Sequence, residues 1–125
     1  MFDATLLQVL SHPSDGIVAI VTQGRTEPHV VNTWNSYIRI SGEDKLLIPV
    51  GGMKRTEANL KLSNRVKLTI GSREIDGLRY KGTGFLISGT ARMVTAGPEV
   101  EEMKNTYPWL RSILEVTIES CQQTL

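Results

Sequence analysis

Six consecutive residues, Asn32-Thr33-Trp34-Asn35-Ser36-Tyr37, are polar or aromatic inside a stretch whose flanks have strand composition. Strands seldom spend side chains this way. Alternation along an extended chain puts Asn32, Trp34 and Ser36 on one face and Thr33, Asn35 and Tyr37 on the other. At least one face therefore presents hydrogen-bonding groups beside a large ring. An edge strand with a wet face accounts for the same residues equally well, because exposed polar alternation is common in antiparallel sheets.

A second segment, Gly51-Gly52-Met53-Lys54-Arg55-Thr56-Glu57, combines open backbone, two cations, a hydroxyl and the start of a helix. These are the ingredients of a phosphate site. Glycines permit close backbone approach, a helix start aims free N–H groups at an anion, and an arginine fork can hold two phosphate oxygens at once. Charge-assisted bonds of this kind contribute roughly 1.5–3 kcal/mol each. A glycine turn followed by a Thr-capped helix, with Lys54 and Arg55 solvated, explains the segment as well, since Thr and Glu are ordinary capping residues.

Other chemistries find little support. Gly82-Thr83-Gly84-Phe85-Leu86-Ile87 has two glycines of a dinucleotide fingerprint and lacks the third. No phosphate-binding P-loop and no G-x-S-x-G elbow occurs, and the two histidines, His12 and His29, have no companion metal ligands nearby. Cys121 is the single cysteine, so neither an intrachain disulfide nor a cysteine-based metal centre is expected. No catalytic residue and no metal site is assigned.

The elements that must position the two segments follow from pattern. Asp3 can cap a short helix with an apolar stripe of Leu6, Leu7, Val9 and Leu10, ended by His12-Pro13. The β-branched run Ile17-Val18-Ala19-Ile20-Val21-Thr22 reads as a buried strand. Strand composition continues from His29 to Ile40, and Ser41-Gly42-Glu43-Asp44 reverses the chain into a strand over Lys45-Leu46-Leu47-Ile48-Pro49-Val50. A helix over Thr56 to Leu62 follows, and then Val66, Leu68 and Ile70 mark the inner face of a half-exposed strand. Glu74 to Gly82 reads as a loop. Gly84 to Thr95 reads as a long strand in which Gly89 marks a bulge or bend. Pro98 opens an acidic helix stopped by Pro108, and Leu110 to Glu119 forms the last strand before a polar tail of residues 122–125. About six strands and three short helices without regular alternation favour a mainly β antiparallel split barrel over a parallel α/β sheet.

The chain of 125 residues, 40% apolar and 22% charged, suits one domain spanning residues 1–125. A net charge of +1 provides no general field for nucleic acid or anionic lipid. No apolar run approaches the ~20 residues of a membrane span, and the N-terminus lacks the pattern of a signal peptide, so a cytoplasmic protein is expected.

The run N-T-W-N-S-Y at 32–37 and I-P-V-G-G-M-K-R-T-E-A-N at 48–59, with Gly16-Ile17-Val18-Ala19-Ile20, Gly82 to Ile87, Trp109 and the terminal Gln123-Thr124-Leu125, closely resembles the small FMN-binding proteins of anaerobic bacteria. These are relatives of the pyridoxamine-phosphate-oxidase and flavin-reductase split barrels. The resemblance covers nearly the whole chain. It implies a homodimer with one noncovalent FMN per subunit near the interface. By the family's pattern Asn32, Thr33, Trp34 and Ser36 would line the flavin and ribityl chain. Lys54, Arg55 and Thr56 would hold the phosphate, and Val50, Gly51 and Gly52 would approach the ring edge. Tyr37 and Trp109 would flank the ring, and Leu125 would reach across from the partner subunit. Asp15 stands where the family tends to carry an acidic residue near the flavin. Arg55 departs from the family's usual lysine, which keeps the charge and changes the contact geometry.

FMN carries redox chemistry itself, so few catalytic side chains are needed. The chain is short for a reductase and shows no segment dedicated to a second nucleotide. The expectation is an electron-transfer protein with an unidentified redox partner. An FMN-dependent NAD(P)H reductase or oxidase is the first alternative, and a non-redox ligand-binding barrel the second.

Overall fold

The computed structural model describes residues 2–125. Its elements in chain order are α1 (Ala4–Ser11), β1 (Ile17–Gln23), β2 (Pro28–Trp34), a 3-10 turn (Asn35–Tyr37), β3 (Arg39–Ser41), β4 (Lys45–Val50), α2 (Lys54–Leu60), β5 (Arg65–Asp76), β6 (Lys81–Val94), α3 (Pro98–Thr106) and β7 (Ser112–Gln123). The seven strands form one antiparallel sheet in the order β2-β1-β5-β6-β7-β4-β3.

That order puts β2 and β3 at opposite edges, yet only residues 35–38 separate them in sequence. Six interstrand spacings of about 4.8 Å would hold the edges about 29 Å apart in a flat sheet. Five residue steps from Trp34 to Arg39 reach at most about 18 Å. The sheet is therefore rolled, with its two edges joined by a short link rather than by a ladder of hydrogen bonds. This is a split barrel.

Its interior holds Val18, Ile20, Leu46, Ile48, Val50, Val66, Leu68, Ile70, Phe85, Ile87, Leu114 and Val116, with α1 closing one side through Leu6 and Val9. Leu7 of the anticipated stripe points outward instead. The half-exposed strand is as anticipated: Val66, Leu68 and Ile70 are buried, and Lys67 and Thr69 are exposed. β4 is buried on both faces. Leu46, Ile48 and Val50 enter the barrel, while Leu47 packs with Val100, Met103, Leu110 and Ile113 under α3.

Several boundaries differ from the sequence expectation. The stretch from His29 to Ile40 is two strands and a 3-10 turn, because the polar side chains after Trp34 bond across the barrel rather than continue a ladder. That split raises the strand count from about six to seven. α2 begins at Lys54, and its N-cap is Met53, with φ of 57° and no capping side chain, so Thr56 lies inside the helix. The supposed loop from Glu74 belongs to β5 as far as Asp76, leaving residues 77–80 as the turn, closed by Gly77 N–H to the Tyr80 carbonyl at 2.8 Å. β7 runs to Gln123 because β6 pairs with it that far, and α3 stops at Thr106, before Pro108.

The bulge at Gly89 is where it was expected: pairing between β6 and β7 shifts between Ser88 and Gly89. A Cβ on Gly89 would fall on the Thr117 carbonyl oxygen. Neither backbone can yield without breaking the ladder. Gly89→Ala should therefore destabilise the fold by about 2–4 kcal/mol in urea unfolding, whereas Gly52→Ala, with nothing within 4 Å of its Cβ, should stay within about 1 kcal/mol. Equal effects would contradict this packing.

Candidate functional site

The link between the barrel edges is pinned from both sides. Asn35 donates its backbone N–H to the Gly16 carbonyl at 2.9 Å and its side-chain Nδ2 to the Gly71 carbonyl at 2.9 Å. Its Oδ1 is buried without a partner. Ser36 bonds Asp15 twice, through Oγ to Oδ2 at 2.6 Å and through its N–H to Oδ1 at 3.0 Å, and Gly16 N–H donates to the same Oδ1 at 2.9 Å. Desolvation is the largest single influence on Asp15 and opposes its charge, but these three hydrogen bonds together outweigh it and hold the carboxyl below the usual aspartate range.

Alternation survives the change of structure at Trp34: Asn32, Trp34 and Ser36 are exposed, while Thr33 and Asn35 are buried. Asn32 and Trp34 lie on the edge strand β2, opposite Ala19 and Ile17. Tyr37 turns into an aromatic trio, 5.0 Å from Tyr107 and 5.7 Å from Trp109, with those two rings 5.5 Å apart. Tyr107 also donates its hydroxyl to the Ser36 carbonyl at 3.4 Å.

Trp109 carries the contacts on to the glycine turn. A Cβ on Gly51 would stand 3.0 Å from Trp109 Cε3, so glycine lets the indole lie against the turn. Beneath it, Arg111 donates Nε to the Gly51 carbonyl at 3.1 Å and Nη2 to the Gly52 carbonyl at 2.7 Å. The same guanidinium pairs with both Glu57 oxygens at 3.4 and 3.3 Å. Hydrogen bonding to Arg111 is the main reason that Glu57 lies below its ordinary range. This fork also takes up the acidic side chain nearest Lys54 and Arg55. Both cations are exposed and neither pairs with a carboxylate among the described residues. The next residue, Thr56, is fully buried and its Oγ1 has no partner.

The structure thus brings Ser36, Tyr37, Trp109, Gly51, Gly52, Lys54, Arg55 and Thr56 into one continuous arrangement. Val50 contributes its side chain to the core, so only its main chain borders the turn. Leu125 lies elsewhere within the chain. Its carbonyl accepts from Thr83 Oγ1 at 2.9 Å and Gln123 Nε2 at 3.2 Å, and it lines a cavity that also includes Asp15 and Gly16. Sequence reasoning missed Tyr107 and Arg111, and read Glu57 only as a capping residue. Two aromatics flanking Pro108 were the available signal for the first; a lone arginine at a strand start gave none.

A model of the pyridoxamine 5'-phosphate oxidase family matches residues 2–125, nearly the whole chain. The chain belongs to this family. Among its relatives is a protein named "FMN-binding protein" from Nitratidesulfovibrio vulgaris (strain DSM 19637 / Miyazaki F), 46% identical over 125 residues that cover all of both chains. The fold is also that of the HupZ protein from Group A Streptococcus, with TM-score 0.78 and 13% identity over 98% of this chain and 94% of that one. An FMN-binding protein from Syntrophomonas wolfei superposes with TM-score 0.67 and 17% identity, over 86% of this chain and 76% of that one. Among the described residues no helix of this family member is long and apolar enough to cross a membrane, and no cluster suited to a metal ion is found.

Because Asp15 is depressed by bonds formed only on folding, its contribution to stability is complete above the ordinary aspartate value of ~4 and is lost as pH falls through its lower folded value. Ser36→Ala removes the hydroxyl donor. Carboxyl carbon NMR should then show the Asp15 midpoint moving up toward ~4; an unmoved midpoint would contradict the assigned cause.

Proposed function

We propose that this chain binds FMN noncovalently, with the phosphate at Lys54, Arg55 and Thr56 and the ring between the polar segment and Trp109, and that it serves as a small electron carrier. The observation that carries the reading is the buried, partnerless Thr56 hydroxyl directly after two cations without carboxylate partners. Its donor chemistry fits a phosphate. A buried hydroxyl left unbonded is unfavourable, and a phosphate oxygen is a strong acceptor. Around the ring position, Trp34 and Trp109 are each close to half exposed, at 41% and 47%, leaving indole faces open for stacking. The relative named FMN-binding protein, identical at 46% of positions, supports the same cofactor.

When bound, FMN supplies one- and two-electron redox chemistry. The chain's own groups do the rest. Lys54 and Arg55 neutralise the phosphate, Tyr37 and Trp109 wall the ring, and Arg111 holds the glycine turn in place while cancelling the charge of Glu57. No acid–base or nucleophilic constellation is required, which favours a carrier over an enzyme.

The reading includes a homodimer. The outer face of β1 and β2 exposes Ile17, Val30 and Trp34, with Ile17 paired beside Trp34. Pairing two copies across this apolar face would let Leu125 of each cover the other's flavin. Sedimentation should then give twice the chain mass of 13.9 kDa.

Protein purified without added cofactor should be yellow and release FMN on denaturation; colourless protein that refuses FMN would remove this reading. Arg55→Ala should weaken FMN by about 10- to 100-fold, the equivalent of one charge-assisted bond, and leave riboflavin within about twofold. Equal weakening of both would exclude phosphate contact. Under anaerobic conditions the holoprotein should be reduced rapidly by a redox protein and only slowly by NADH or NADPH. Rapid steady-state bleaching by either nucleotide would make it a reductase instead.

A further inference from the structure

The backbone ladder that fastens the end of β7 stops short of Leu125. Gln123 is registered opposite Phe85 of β6, and Thr124 donates its N–H to the Gly84 carbonyl at 2.8 Å, so the strand is held as far as residue 124. One residue further, side chains take over. Thr83, buried on β6, donates Oγ1 to the Leu125 carbonyl at 2.9 Å, and Gln123 donates Nε2 both to Thr83 Oγ1 at 3.0 Å and to the same carbonyl at 3.2 Å. The three groups close a triangle. Among the described residues, both side-chain hydrogen bonds of Thr83 go to the last three positions of the chain.

Bare backbone lets this segment lie close. A Cβ on Gly77 would stand 3.0 Å from the Leu125 carbonyl carbon and oxygen, and one on Gly84 would stand 3.2 Å from Thr124 Oγ1 and 3.8 Å from Leu125 Cδ1. Leu125 is thus seated against the β5–β6 hairpin, yet it stays 64% exposed. Its main chain is fixed while its apolar side chain is largely uncovered. An apolar group held in place and left open is preorganised for contact with another surface, because part of the entropy of ordering it is lost before contact. Ending β7 requires no such triangle, since the ladder already does that.

We infer that Thr83 and Gln123 are positioning residues of the flavin site that act through Leu125: by fixing its main chain they hold its side chain over the flavin of a second copy of the chain and limit the access of small oxidants to the ring. This deepens the flavin and dimer reading above and rests on it. Neither residue touches the ring. Without the Thr83 hydroxyl, the Leu125 carbonyl keeps only the longer bond from Gln123. Loss of one neutral hydrogen bond raises the open population of such a segment about fivefold.

Two measurements test the inference. In flavin-free protein, backbone nitrogen relaxation should show the Leu125 amide as ordered as that of Thr124. In Thr83→Val, and in Gln123→Met as a second variant, Leu125 should lose order while Thr124 keeps it, and Thr83→Ser should restore the wild-type signal. The FMN-loaded protein is then reduced without oxygen and mixed with dioxygen, which takes two electrons and two protons from the reduced flavin to give hydrogen peroxide. Reoxidation should run about fivefold faster in Thr83→Val. Leu125→Ala should also accelerate it, adding Thr83→Val to Leu125→Ala should bring no further gain, and Thr83→Ser should keep the wild-type rate. FMN content and sedimentation should stay those of the wild-type dimer. An unmoved Leu125 amide, additive rates, or dissociation of the dimer by Thr83→Val would overturn the inference, as would a lower melting temperature with no change in rate, which marks a merely structural role. Acceleration by Leu125→Ala without acceleration by Thr83→Val would overturn this inference alone. A wild-type rate in Leu125→Ala would remove the cover itself, and protein that refuses FMN would remove the flavin reading as well.

Discussion

Residues 35–38 must carry the chain from one edge of a seven-stranded sheet to the other, and almost every feature of the site follows from how they do it. Four residues cannot cross a flat sheet of that width, so the sheet rolls. At the crossing the backbone leaves the ladder, and its polar groups need new partners. Asn35 reaches the carbonyls of Gly16 and Gly71, and Ser36 takes both oxygens of Asp15. These bonds aim Tyr37 at Tyr107 and Trp109, and Trp109 in turn leans on the glycine turn. Barrel closure and site assembly are thus one event.

The glycine turn shows a second division of labour. Gly51 and Gly52 present their carbonyls to Arg111, whose remaining donors hold Glu57, and Met53 turns the chain through a left-handed conformation into α2. A non-glycine residue in that region is uncommon and is held there by its surroundings. The positive charge that matters for an anion is not Arg111, which is consumed internally, but Lys54 and Arg55. A sequence-level count of cations treats all three alike; the hydrogen bonds separate the supporting arginine from the available ones.

Much of this was legible in the sequence. Period-two alternation located the inner face of β5, β-branched composition located β1, and Gly89 announced the bulge, because each is a local signal with a single geometric meaning. Even the exposure pattern of Asn32 to Ser36 followed from alternation, although the strand ends at Trp34. What stayed hidden was long-range. The break after Trp34 depends on Asp15 and Gly71, far away in the chain, and no local pattern records them. Likewise, Thr56 has the look of a cap but lies buried inside α2, since the turn before it is set by Met53 and Arg111. The direct contact of Tyr37 with Trp109, which joins the two chemical segments, and the third ring of Tyr107 beside both are likewise purely spatial.

The central claim is that the crossing link and the glycine turn form one ligand site, joined by the aromatic trio. Titrating FMN, and separately riboflavin, into flavin-free protein while recording backbone amide and indole NMR signals tests it directly. The account predicts that both ligands shift the Trp34 and Trp109 indoles together with residues 35–37, and that FMN alone shifts Lys54 to Thr56. Shifts confined to residues away from these segments, or identical responses of Lys54 to Thr56 to both ligands, would contradict it.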